Sequence, residues 1–73
     1  MSRLLIDAGE ALYGPRWQCE LSRDLGVSDR TVRRWVAGVS NIPAGVAIEL
    51  WRLCDERLAA LEDVRDRLKA KSA

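Results

Sequence analysis

The sequence predicts an all-α protein: a compact bundle of four helices whose last helix extends beyond the rest. Three observations point there. Apolar residues recur three and four apart, and no segment carries the alternating period of a strand. Both prolines and most glycines fall between the periodic runs, where they act as punctuation. From Val46 to Lys71 there is neither proline nor glycine, which is enough for one helix of about 26 residues and about 39 Å.

Each element has a local reason. The first helix is expected from Arg3 to about Tyr13, with Ser2 as N-cap, an apolar stripe of Leu4, Leu5, Ala8, Ala11 and Leu12, and Gly14-Pro15 as its stop. Gly9 lowers helix propensity inside it, so a neighbour is expected to pack closely there. The second helix runs from Arg16 or Trp17 to Leu25, with Trp17, Leu21 and Leu25 facing inward at steps of four. Gly26 and Val27 make a tight connection, and Ser28 caps a third helix from Asp29 to about Ala37, closed by Gly38. The acid of Asp29 suits the positive end of that helix dipole. Pro43 suits the first turn of the fourth helix, where a missing N–H costs nothing.

The totals narrow the class. Seventy-three residues form one small domain, marginal alone unless a staple or a partner subunit completes its core. Cys19 and Cys54, with no histidine in the chain, cannot make a disulfide framework or a common zinc set and are read as free thiols. No apolar run is long enough to span a bilayer, and the first residues lack the pattern of a signal peptide. A soluble cytoplasmic protein is expected, with no cofactor, metal, membrane partner or small-molecule effector. An enzyme is not expected, because there is no phosphate-cradling glycine loop and no nucleophile beside a base.

The formal charge of +1 hides an uneven distribution. Residues 16–38 hold Arg16, Arg23, Arg30, Arg33 and Arg34 against Glu20, Asp24 and Asp29, whereas six bases offset six acids beyond residue 38. On a helical wheel with Val32 at zero, Val36 falls at about 40° and Trp35 at about 300°, an apolar face. Arg33, Arg30 and Arg34 fall at about 100°, about 160° and about 200°, with Ala37 among them at about 140°. A helix held by one face and offering guanidiniums on the other suits the major groove, where arginine pairs bidentately with guanine.

The residues from Gln18 to Ala37, QCELSRDLGVSDRTVRRWVA, add a frame to that helix. Leu21, Leu25, Val27, Val32 and Trp35 are apolar, Ser22 is small enough for two helices to cross closely, and Gly26 accepts the positive φ of a sharp turn. At these positions the chain resembles the helix-turn-helix of phage repressors and Cro, and of the xenobiotic-response-element family of small bacterial transcriptional regulators. The resemblance covers about residues 4 to 53 and implies a lambda-repressor-like four-helix domain, residues 1–57 with the motif at about 17–37, followed by an extension over 58–73.

The resemblance also implies roles. Gln18 corresponds to a glutamine that contacts phosphate, though it is also an ordinary helix-start residue. Ser28, Asp29 and Arg30 correspond to the start of a recognition helix, and Arg33 and Arg34 to later positions that reach base or backbone. Arg30 and Arg34 are favoured as base readers and Arg33 as a phosphate contact. Thr31 is expected to hydrogen-bond phosphate, and Asn41 lies in a loop that meets the flanking backbone. Asp29 stands where glutamine is common; it either accepts from a cytosine amino group or caps the helix and orients Arg30 or Arg33. Trp17, Trp35 and Trp51 are expected in the core rather than stacked on bases. Cys19 is expected to be incidental and Cys54 a small core residue.

In the last helix, Ala47, Trp51, Cys54, Leu58, Leu61, Arg65 and Leu68 form a heptad seam broken at Arg65, with Val64 beside it. Its second half outruns so small a domain. Leu58, Leu61, Val64 and Leu68 are therefore expected to dimerise, the alternative being a tail folded back on its own domain. The leading expectation is a homodimeric, sequence-specific double-stranded DNA-binding protein, a repressor of phage or mobile-element type that occupies a palindromic operator. The alternatives are a helical protein-interaction adaptor and a DNA-docking subunit of a phage or mobile-element machine.

Overall fold

The computed structural model describes residues 1–72; the last residue of the expected 58–73 extension lies outside them. Four helices, α1 (Ser2–Tyr13), α2 (Trp17–Leu25), α3 (Asp29–Val36) and α4 (Ala44–Ser72), follow in order, and the described residues contain no strand. The chain is all-α, as its periodicity predicts.

Helix α1 begins at Ser2, not Arg3, and Ser2 does not cap it. Met1 holds the cap position without a side-chain hydrogen bond, and its carbonyl accepts from the Leu5 N–H at 2.9 Å. The buried stripe is Leu5, Gly9 and Leu12, while Leu4 and Ala11 face outward. The cause is Trp17, whose ring packs against Gly9. A Cβ there would sit 2.1 Å from Trp17 Cε3, so only glycine lets α1 and α2 approach this closely.

Both turns around α3 are closed by the same device. Gly26, at φ 72°, donates to the Arg23 carbonyl at 3.2 Å while Val27 donates to Ser22 at 2.9 Å. Gly38, at φ 75°, donates to Trp35 at 3.1 Å while Val39 donates to Arg34 at 3.0 Å. These are paired six-to-one and five-to-two bonds around a left-handed residue, which satisfy the last carbonyls of each helix. Pro43 stands just outside α4 rather than in its first turn, and its carbonyl accepts the Val46 N–H at 3.0 Å.

The core comprises Leu5, Leu12, Trp17, Leu21, Val32, Trp35, Val46 and Leu50, with Leu25, Val27, Val36, Leu53 and Cys54 packed against it. Helix α1 lies beside the first half of α4 in the same direction. Leu4 and Ala8 line one surface hollow with Ala47, Trp51 and Cys54, and Ala11 and Leu12 line another with Arg57, Leu58 and Leu61. Arg57 joins the two helices by donating to the Leu12 carbonyl at 2.8 Å and placing its guanidinium 5.5 Å from the Tyr13 ring centre. The Tyr13 hydroxyl in turn donates to Asp24 on α2. Burial, then that carboxylate, push the phenol well above its ordinary range.

Trp51 is not a core residue: 69% of its surface is exposed. On α4 the inward stripe passes through Val46, Leu50 and, partly, Leu53 and Cys54, which turns Trp51 about 100° aside from Leu50. Nor does the tail fold back. Helix α4 continues for 29 residues, about 43 Å, and accounts for most of the 51 Å long axis of the molecule. Leu58, Leu61 and Leu68 are each more than half exposed. No helix among the described residues is long and apolar enough to cross a membrane.

Candidate nucleic-acid interface

Helix α3 is held from behind. Val32 is fully buried and Trp35 almost so, with Val36 partly covered. Arg30, Arg33 and Arg34 are all exposed on the opposite side, with Ala37. The orientation expected from the wheel is therefore present in the fold. Among the described residues, ion pairs occur only within α1 and α4, so the arginines of α2 and α3 form none with nearby carboxylates.

The first turn of α3 is locally secured. Ser28 is extended at φ −80°, ψ 156°, and its Oγ accepts the Thr31 N–H at 3.1 Å, satisfying one of the orphan donors of the helix start. The Thr31 hydroxyl lies 2.9 Å from that same Oγ. Both hydroxyls thus sit at the positive end of α3, and the Thr31 hydroxyl already has a protein partner.

Asp29 occupies a different place from the arginines. Its Oδ1 lies 2.8 Å from the Ser22 hydroxyl, which is also 2.6 Å from the Cys19 carbonyl, so one proton is shared between two acceptors. Its Oδ2 accepts from the Cys19 thiol at 3.3 Å. The carboxylate therefore ties α3 to α2 rather than to Arg30 or Arg33, and both of its oxygens already accept a hydrogen bond. Ser22 and then Cys19 hold the Asp29 carboxyl below its usual range, and the same contact raises the Cys19 thiol. Cys19, expected to be incidental, is exposed and donates this one hydrogen bond across the gap between α2 and α3.

Gln18 is partly exposed and lines a shallow hollow on α2 with Pro15, Arg16, Glu20 and Arg23. Asn41 is exposed in the loop that follows α3. Arg34 reaches that loop, its Nε donating to the Ser40 hydroxyl at 3.1 Å. This bond holds the guanidinium toward the loop side of the face, while Arg30 projects from the first turn.

Two further arginines, Arg16 and Arg23, are exposed at α2. Arg23, like Arg33 of α3, is close enough to act electrostatically on Cys19 and Asp29, and Arg16 stands beside Gln18 and Arg23 in the hollow at the start of α2. The local charge excess over residues 16–38 contains both Arg16 and Arg23, but wheel positions within one helix cannot show that two helices share a face. Comparison with protein-family models, curated proteins and solved structures yields no match to this chain.

Proposed function

We propose that this protein binds double-stranded DNA sequence-specifically as a homodimer, with α3 entering the major groove, and represses transcription by occupying an operator. The observation that carries the proposal is the two-sided character of α3: Val32 and Trp35 buried, Arg30, Arg33 and Arg34 exposed and free of ion pairs among the described residues. The helix-turn-helix likeness of residues 18–37 supports the same reading. In it Arg30 and Arg34 read base edges, and Arg33 contacts phosphate together with Gln18, Thr31 and Asn41. Ser28 presents the helix start. Asp29 orients the motif through Ser22 and Cys19 rather than accepting from cytosine. Arg16 and Arg23 add phosphate contacts. The protein works in the cytoplasm, needs no cofactor and catalyses nothing.

Titration of duplex DNA with the protein tests this. Affinity should fall steeply as salt rises, because each neutralised phosphate releases a counterion. Arg30→Ala and Arg34→Ala should each weaken binding, and binding indifferent to both would refute the reading. A second reading, a helical adaptor whose α4 grips another protein, is favoured by the exposed apolar residues of that helix. It predicts no DNA affinity above that of an ordinary near-neutral surface.

A further inference from the structure

The apolar surface left open by this chain is not confined to the tail. Met1, Leu4 of α1, and Trp51, Leu58, Leu61 and Leu68 of α4 are each at least half exposed. The two helices share one face, since Leu4 and Ala8 line a hollow with Trp51 and Ala11 lines the next with Leu58 and Leu61. Taking about 200 Å² for a fully exposed leucine and somewhat more for tryptophan, these six residues leave roughly 800 Å² open, the amount each partner gives a standard interface. Isolated surface leucines need no explanation, but a contiguous strip of this size does.

We propose that a second copy of this chain covers the strip by lying parallel to it, α4 against α4, about a two-fold axis that runs along the helices. This rests on the homodimer part of the proposed function and adds its geometry. In the parallel pairing every seam residue meets its own copy, so Trp51, Leu58, Leu61 and Leu68 are covered together, with Met1 and Leu4 at the flank. Charge agrees. Arg57 precedes the seam residue Leu58 and Glu62 follows Leu61, which is the spacing at which flanking residues of parallel helices meet, Arg57 of one copy against Glu62 of the other. Arg57 uses one nitrogen for the Leu12 carbonyl and has further donors to offer.

An antiparallel pairing does worse on both counts. Centred near residue 56, it sets Asp55 against Asp55 and Arg57 against Arg57 of the two copies. Centred near residue 63, it covers the tail but leaves Trp51 and Leu4 beyond the end of the partner helix. The parallel pairing has one unfavourable meeting, Arg65 with its counterpart. That residue is 71% exposed at its side chain, and a long flexible stem lets each guanidinium turn to water.

The geometry also bears on the arginine face. The end of α3 lies with Met1 and Ser2, at the start of α4 and away from the tail. A parallel pair thus carries both reading helices at one end and both tails at the other, which leaves the DNA side unobstructed.

The pairing is tested by cysteine cross-linking without DNA, in full-length protein carrying Cys19→Ser and Cys54→Ala. Leu58→Cys and Leu68→Cys should each link to themselves on mild oxidation, and sedimentation should give the mass of a dimer. Trp51→Glu, at a position too exposed to threaten folding, should weaken dimerisation at least tenfold. Cross-links that form only between Leu58→Cys and Leu68→Cys chains would overturn the parallel order while leaving a dimer. A monomer mass, or Trp51→Glu without effect, would overturn the proposal outright. None of these results bears on whether the arginine face binds DNA, so the two readings can fail separately.

Discussion

Gly9→Ala sets two rules of helix stability against each other. Alanine is the better helix former by about 1 kcal/mol in a helix interior, so propensity alone predicts a more stable protein. Packing predicts the reverse. The new methyl would lie 2.1, 2.4 and 2.8 Å from three atoms of the Trp17 ring, all well inside van der Waals contact. That ring cannot simply swing away, because it is 4% exposed and part of the core with Leu5, Leu12 and Leu21. Relief requires α1 and α2 to separate, and overpacking of this kind costs about 1–3 kcal/mol or more. Taking the larger end because backbone must move, the net loss after the propensity gain is about 1–2 kcal/mol. In a domain of this size that lowers the melting midpoint by roughly 4–16 °C. Gly45→Ala is the matching control: nothing lies within 4 Å of its Cβ position, so it should be neutral or stabilising by a few tenths of a kcal/mol. Thermal melts followed by circular dichroism, at one protein concentration because dimerisation shifts the midpoint, distinguish the cases. A Gly9→Ala protein as stable as the parent would refute the packing of Trp17 on α1.

Three other outcomes follow from the structure. Arg30→Ala should cost about 1–3 kcal/mol in DNA binding and relax preference at one base pair, whereas Arg33→Ala should weaken all sequences about equally and flatten the salt dependence; competition binding at two salt concentrations measures both. Asp29 has a folded-state pKa below its unfolded one, so its contribution to stability is present above the ordinary aspartate pKa and is lost as pH falls through the lowered value. Urea midpoints measured from about pH 5 downward should therefore fall less steeply in Asp29→Asn than in the parent, and Cys19 should react faster with a thiol reagent in that variant, its raised pKa relieved. Leu61→Glu should give monomers by sedimentation while the helical content of the bundle is retained, since Leu61 is 59% exposed.

Residue patterns made the helices and the orientation of α3 legible because those depend on neighbours three or four positions away. Ser28 as cap, Gly26 as a left-handed turn, Gly38 as the stop of α3 and the close neighbour of Gly9 were all readable from local chemistry. What the pattern could not supply was which of two adjacent stripes faces inward. On α1 both Leu4 and Leu5 begin a helical stripe, and the Trp17 ring selects the one through Gly9. On α4 the heptad through Trp51 and the stripe through Leu50 differ by one position; the short bundle can cover only one, and it covers Leu50. Contacts between helices were equally hidden. Nothing in the spacing of Cys19, Ser22 and Asp29 shows that they converge, because it takes the Gly26 turn to bring them within hydrogen-bonding distance. Arg57 looks like any solvated helix charge until α1 is placed beside it.

Selection from a random pool of duplex DNA at a stated salt concentration asks whether α3 reads sequence. An enriched two-fold-symmetric site with half-sites about 10 base pairs apart is expected, with loss of that enrichment when Arg30 and Arg34 are both alanine. No enriched sequence, or the same sequence recovered by the double variant, would contradict sequence reading by α3.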